Sequence, residues 1–137
     1  MQKGPDRIPT AAKMFEPYLE RAISFLQQGR QPGGIEGEVI TPETAARLSS
    51  DYDLRVVFLM RSTATAAEVA DPRGPNPWLE SAPLDLVSSV ATEVLSWSAY
   101  VQSACQRLGL PCFNVGEDFE GAMADAASAL TGETRLT

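Results

Sequence analysis

The sequence predicts one α/β domain of three layers, in which a short, mostly parallel sheet is flanked by helices. The chain has 137 residues, of which 44% are hydrophobic, enough for a single core. Residues 54–60 (LRVVFLM) are almost continuously apolar, which is typical of a strand covered on both faces. Predicted strands alternate with predicted helices, and this order favours parallel pairing. We assign the domain to residues 10–132, with a flexible lead-in at 1–9 and a frayed tail at 133–137.

The first predicted helix covers residues 11–28. Thr10 is a suitable cap, and apolar residues then recur at helical spacing. Pro17 either kinks this helix or opens its main part. The residues predicted to face the core, or to lie beside those that do, are Phe15, Leu19, Ile23, Leu26, Tyr18 and Ala22.

A strand and a short helix are predicted before the apolar strand. Residues 33–40 form a short segment bounded by prolines, which we interpret as a strand. Thr41 and Pro42, followed by an acidic residue, are typical of a helix start, and we place this helix at residues 43–48.

A short helix at residues 64–70 and a proline-rich loop at residues 71–78 are predicted next. Trp78 is predicted to anchor this loop on the core, and stacking on a ligand is the alternative. Ser81 is predicted to cap a long helix that Gly109 ends. The apolar stripe of that helix consists of Val87, Val90, Ala91, Val94, Trp97, Ser98, Val101, Cys105 and Leu108.

The last predicted elements are a strand at residues 112–115 and a helix at residues 117–130 that Gly132 ends. The residues of this helix predicted to face the core are Phe119, Met123, Ala126 and Leu130.

The composition excludes several classes of function. The chain contains no histidine, which removes Ser-His and Cys-His catalysis and the commonest metal ligand. Cys105 and Cys112 match no zinc pattern, so we predict no metal site and interpret both as small core residues in a reducing compartment. A net charge of −7 disfavours nucleic acids as partners. No apolar run approaches the roughly 20 residues that span a bilayer, so we expect a cytoplasmic protein without a membrane partner.

Four segments together resemble part of a known family. They are IEGE at 35–38, DLRVVFLMRS at 53–62, NPWL at 76–79 and LGLPCFNVGEDFE at 108–120. In this order they resemble the C-terminal part of small P-loop kinases of the adenylate-kinase-like and 2-phosphoglycerate-kinase-like group. The resemblance extends over residues 15–130 and implies a nucleotide-binding fold with ATP and Mg²⁺ as ligands.

The resemblance also implies roles for individual residues. They are an acidic catalytic role for Glu36 or Glu38, phosphate binding by Arg61 and Arg73, and nucleotide binding by Asn114 and Gly116. Alternatives remain open, because the arginines also suit surface ion pairs and the asparagine suits the bonding of a turn. On the predicted strand, Glu36 and Glu38 point to opposite faces and are therefore not an acid/base pair.

One departure from the family is severe. The phosphate-binding loop G-x-x-x-x-G-K-[ST] is missing, and the only lysines are Lys3 and Lys13. The chain therefore lacks a complete catalytic site of this kind. Three functions remain: a truncated or degenerate kinase-like domain, a non-catalytic and homo-oligomeric protein-interaction module (a homodimer, for example), or half of a split kinase whose partner chain supplies the P-loop.

Overall fold

The computed structural model describes residues 7–30, 32–74 and 76–132. The first six residues of the predicted lead-in, and the predicted tail at 133–137, lie outside the described residues. The described residues have an α/β arrangement with two short parallel strands and flanking helices, which agrees with the predicted class. The chain divides into two compact units, Met1–Val56 and Val57–Thr137. Each unit is described by itself.

Two helices form the first unit. Helix α1 (Arg7–Gln28) begins three residues before the predicted cap at Thr10 and continues through Pro17. Helix α2 (Pro42–Asp51) begins as predicted, because the Thr41 hydroxyl accepts the N–H of Thr44 at 3.2 Å.

The core of the first unit lies between α1 and α2. Leu19, Ile23 and Leu48 are buried together, and three partly buried side chains pack against them. Those three are Ile40, Tyr52 and Leu54. At the margin of this contact, Arg47 forms ion pairs with Glu16 and Glu20.

The prediction that Phe15 faces the core, with Tyr18 beside it, was wrong. Both side chains are exposed, although Leu19 and Ile23 are buried as predicted. The physical reason is the size of the neighbouring element. Helix α2 has 10 residues, and it covers a strip of α1 narrower than the apolar arc of that helix.

The predicted strand at residues 33–40 was also wrong. The segment has no regular secondary structure, and both Glu36 and Glu38 are exposed. Gly33, Gly34 and Gly37 raise the entropic cost of fixing the backbone in an extended conformation. In addition, a strand is stable only when it pairs with another strand.

The second unit contains the sheet. Its elements in chain order are β1 (Phe58–Met60), α3 (Ala66–Val69), a 3₁₀ helix (Pro77–Ser81), α4 (Leu84–Leu108), β2 (Cys112–Asn114) and α5 (Phe119–Thr131). Strands β1 and β2 are parallel, as predicted, with Phe58 opposite Cys112 and Met60 opposite Asn114. Helix α4 contacts both strands, and α5 contacts β2.

Strand β1 is shorter and less covered than residues 54–60 suggested. Only its last three residues are paired, and the prediction that both faces are covered was wrong. Met60 is 5% exposed, whereas Leu59 is 45% exposed. Adjacent residues of a strand point to opposite faces, so β1 is packed on the face of Met60 and exposed on the face of Leu59.

The predicted ends of the two last helices are confirmed. The predicted short helix at 64–70 forms as α3, where Thr65 and Glu68 make a reciprocal capping box. Gly109 and Gly132, at φ of 68° and 72°, end α4 and α5 in the left-handed conformation that glycine adopts without strain. Ser81 was wrongly predicted as the cap of the long helix, because it ends the 3₁₀ helix and α4 follows Pro83.

The core of the second unit uses small side chains. Its fully buried large residue is Leu79, and the neighbouring Trp78 is exposed, which overturns its predicted role as an anchor. Of the α5 residues predicted to face the core, Ala126 is buried, whereas the larger ones are exposed. Those exposed side chains are Phe119, Met123 and Leu130.

Candidate functional site

The carboxyl ends of β1 and β2 lie side by side because the strands are parallel. Arg61 and Ser62 follow β1, while Asn114 ends β2 and Gly116 follows it. Ligands of open α/β sheets bind at this edge. Three residues implied by the P-loop-kinase resemblance, namely Arg61, Asn114 and Gly116, therefore belong to one edge of the sheet.

The side chain of Asn114 joins the two loops at this edge. Its amide oxygen accepts the backbone N–H groups of Ser62 at 3.2 Å and Gly116 at 3.0 Å. Its amide nitrogen donates to the Ser62 hydroxyl at 2.7 Å, and that hydroxyl donates to Glu117 at 3.3 Å. Asn114 thus satisfies backbone groups of both loops, the structural alternative to a ligand contact.

Gly116 is tightly enclosed. A Cβ atom at this position would lie 3.2 Å from both the Asn114 amide oxygen and the Thr63 hydroxyl. A residue with a Cβ atom at this position would require the Asn114 or Thr63 side chain to shift by a few tenths of an ångström, so glycine favours the close approach of the two loops.

Arg61 lies beside a carboxylate. Its Nη2 contacts Glu68 at 3.3 Å, and its backbone N–H donates to the Ser98 hydroxyl at 3.0 Å. Hydrogen bonds from Thr65, with the added attraction of Arg61, lower the pKa of Glu68. The Arg61 Nε is shielded from solvent and meets no hydrogen-bond partner in the described part of the chain. A phosphate would have to compete with Glu68 for the guanidinium.

The other predicted site residues do not join this network. Arg73 binds Asp71 through Nε at 3.0 Å and Nη2 at 2.8 Å, and these hydrogen bonds lower the pKa of Asp71 to about 2. Glu36 and Glu38 belong to the first unit and are exposed there. The structure thus brings together Arg61, Asn114 and Gly116 and leaves Arg73 paired elsewhere.

The described residues offer few groups for catalysis. Residues 7–30, 32–74 and 76–132 contain no group of three or more Cys, Asp or Glu side chains suited to holding a metal ion. Cys105 is buried, and partial burial raises the pKa of the Cys112 thiol although a hydrogen bond with Cys105 opposes this. A raised pKa reduces the thiolate fraction at neutral pH, which makes Cys112 a poor nucleophile.

A second surface was missed by the sequence prediction. We call it the α1 outer face, and it consists of Ala11, Met14, Phe15, Tyr18, Ala22 and Phe25. Its four large side chains are 73% (Met14), 42% (Phe15), 68% (Tyr18) and 76% (Phe25) exposed. The signal was present in the sequence, because apolar residues occupy two neighbouring stripes of α1 and α2 can cover only one.

The α1 outer face contains two shallow grooves that meet at Tyr18. One groove, of about 370 Å³, passes over Ala11 and is bordered by Phe15 and Val39. The other, of about 510 Å³, passes over Ala22 and is bordered by Phe25 and Ile35. Both are lined almost entirely by apolar atoms and open to solvent, a combination typical of interaction surfaces.

Within the described residues, no helix combines the length and the apolar character needed to cross a membrane. Comparison with protein-family models, curated proteins and solved structures finds no match.

Proposed function

We propose that this chain is a non-catalytic protein-interaction module that self-associates through the α1 outer face. The observation that carries the proposal is the exposure of Met14, Phe15, Tyr18 and Phe25 on a single helix. Scattered exposed hydrophobic residues are normal in soluble proteins, but a contiguous apolar patch marks an interaction site.

The size of this surface supports the same conclusion. With Ile35 beside the helix, the exposed large side chains amount to about 600 Å² per copy, if a residue of this size has a surface of about 200 Å². Two copies would bury about 1,200 Å², the lower end of the range for specific interfaces.

The chemistry of the sheet edge supports a role without catalysis. Arg61 is compensated by Glu68, Asn114 is used by two loops, and the sequence contains no histidine. None of these groups is an activated nucleophile or a general base positioned against a second reactive group.

Light scattering of the wild-type chain over a range of concentrations tests the proposal. We expect a mass that rises from 14.7 kDa toward twice that value as concentration increases. The double variant Tyr18→Ser/Phe25→Ser should remain monomeric, because it replaces the two largest exposed side chains of the face with small polar ones.

A matched control changes exposed apolar residues of the second unit. The variant Leu84→Ser/Phe119→Ser also removes two exposed large side chains and should associate like the wild type. A wild-type chain that is monomeric at millimolar concentration would refute the proposal, and so would equal effects of the two double variants.

As a second candidate, we propose that the second unit is an incomplete P-loop-kinase-like domain that keeps a nucleotide or phosphate site at the sheet edge. The three-layer architecture expected from the resemblance belongs to this candidate. It is favoured by the position of Arg61, Asn114 and Gly116 at the carboxyl ends of parallel strands. In this form, ATP and Mg²⁺ bind without being turned over, unless a partner chain supplies the P-loop.

Calorimetry with ATP and Mg²⁺ tests the second candidate, with inorganic phosphate as a simpler probe. Heat from the chain alone that disappears in Arg61→Ala would support a site at the sheet edge. Heat that appears only with a P-loop-bearing partner chain would support the split kinase. Binding that is unchanged in both Arg61→Ala and Arg73→Ala would show that neither arginine holds phosphate.

A further inference from the structure

Resting on the proposed self-association, we infer that two copies pair through antiparallel α1 helices, with the two-fold axis beside Tyr18. The spacing of apolar residues along α1 favours this packing. Ala11, Phe15, Tyr18, Ala22 and Phe25 follow one another at steps of four, three, four and three residues. A helix that packs lengthwise against a partner helix has this repeat, because side chains at these positions insert between side chains of the partner.

These five residues form the seam of the proposed pair, and the order of their sizes favours an antiparallel partner. In each direction from Tyr18, the seam contains one large and one small residue. Toward the N-terminus the large residue comes first, whereas toward the C-terminus the small residue comes first. Phe15 and Ala22 flank the centre, while Ala11 and Phe25 lie at the ends. An antiparallel partner therefore sets Phe15 against Ala22 and Phe25 against Ala11. This self-complementary arrangement is what a two-fold interface requires.

The two grooves of the α1 outer face fit the same arrangement. Each passes over one of the two alanines, and together they flank Tyr18. In the antiparallel pair, the groove over Ala11 receives Phe25 of the second copy. The groove over Ala22 likewise receives Phe15. Each ring then occupies part of its groove and excludes water from it.

Packing also disfavours the parallel orientation. A parallel arrangement would set Ala11 against Ala11 and Ala22 against Ala22. Two layers of the seam would then be left unfilled.

Disulfide trapping distinguishes the orientations, starting from a Cys105→Ala/Cys112→Ala background that removes both native thiols. Tyr18→Cys should form a symmetric disulfide under mild oxidation, because the axis passes beside it. Ala11→Cys alone should not, since the two positions would be about 21 Å apart along the helices at about 1.5 Å per residue. A mixture of Ala11→Cys and Phe25→Cys chains should cross-link.

A measurement on the wild-type sequence avoids dependence on the variants. In a mixture of isotope-labelled and unlabelled chains, filtered NMR spectra should show contacts from the Ala11 methyl group to the Phe25 ring of another copy. They should also show contacts from the Ala22 methyl group to the Phe15 ring.

The outcomes separate this inference from the proposed function. A dimer that depends on Tyr18 and Phe25 but cross-links through Ala11→Cys alone would overturn the antiparallel arrangement and leave self-association intact. A chain that stays monomeric at every concentration would overturn both. Cross-linking of the Ala11→Cys and Phe25→Cys mixture, with filtered contacts between the same positions, would establish the arrangement.

Discussion

At the scale of single residues, Ser98 is the polar member of an otherwise apolar stripe on α4. It is buried, and its hydroxyl accepts the backbone N–H of Arg61 at 3.0 Å. Arg61 directly follows β1, where the ladder with β2 ends. The hydroxyl thus supplies an acceptor to a backbone donor that the sheet leaves unpaired, which explains a serine in the core.

We expect Ser98→Ala to lower the free energy of unfolding by about 1–3 kcal/mol, because it leaves a buried N–H without an acceptor. Urea unfolding followed by tryptophan fluorescence would measure this change in the second unit. Ser89→Ala is a matched control on an exposed position of the same helix, with an expected effect within about 0.5 kcal/mol. Equal losses in both variants would show that the Ser98 hydroxyl contributes nothing specific.

The pair formed by Asp71 and Arg73 gives a prediction about ionisation. Hydrogen bonds from the guanidinium, and one from the Arg73 backbone, lower the pKa of Asp71 from its ordinary 3.8 to about 2. Arg73→Ala should raise the pKa of Asp71 most of the way back to its ordinary value. NMR titration of the carboxyl group would measure this change. Arg73→Lys keeps the charge but not the paired hydrogen bonds, and it should preserve only a smaller lowering of the pKa.

The sign of the pH dependence follows from the same shift. Since the folded-state pKa of Asp71 is lowered, its interaction with Arg73 favours the folded state fully above pH 3.8. That contribution is lost as the pH falls through about 2. A pKa unchanged by Arg73→Ala would contradict the assignment of its cause.

At the scale of elements, α1 depends on α2 for its position. Leu48 is among the most completely buried side chains and packs against Leu19 and Ile23. We expect Leu48→Ala to cost about 2–5 kcal/mol, the usual range for a large-to-small change in a core. Hydrogen exchange at the amides of α1 and α2 would measure this loss of stability. Leu84→Ala, at an exposed position, serves as the control. A protection pattern identical to the wild type would show that this contact does not hold α1.

Helix ends were predictable because the chemistry that fixes them is local. The Thr41–Pro42 start and the Gly109 and Gly132 ends need only a few adjacent residues. The strand expected at 33–40 failed because a short segment bounded by prolines does not specify a partner strand. The orientation of Phe15 failed for a related reason, since exposure depends on the length of α2, which lies elsewhere in the sequence.

The candidate site at the sheet edge could also be predicted in part from the sequence. Parallel pairing of two recognisable strands was enough to bring Arg61 near Asn114 and Gly116. The carboxylates that pair with the arginines were not identified, because Glu68 and Asp71 lie in a helix start and a loop whose geometry the sequence pattern does not define. The α1 outer face required knowing which of two apolar stripes α2 covers.

At the scale of the whole molecule, net charge opposes self-association. Each copy carries −7, so two copies repel each other at long range. Raising the ionic strength from about 0.01 M to about 0.15 M shortens the Debye length from about 30 Å to about 8 Å. Because the proposed interface is apolar, added salt should therefore strengthen association, measured as a lower dissociation constant in sedimentation equilibrium.

Sodium chloride and potassium chloride should act alike in this experiment, since screening depends on ionic strength rather than on the identity of the cation. Weaker association at higher salt would indicate that ion pairs hold the copies together, and would contradict an apolar interface.

Pro17 lies inside α1, directly before Tyr18. It has no amide hydrogen, so the Lys13 carbonyl lacks the donor that normally lies four residues further on. The turns before Pro17 are therefore joined to the rest of α1 by fewer bonds, and their amides should exchange sooner than those of residues 18–28. Pairing with a second copy would then slow the opening of those first turns, so that assembly and the stability of this end of α1 are coupled.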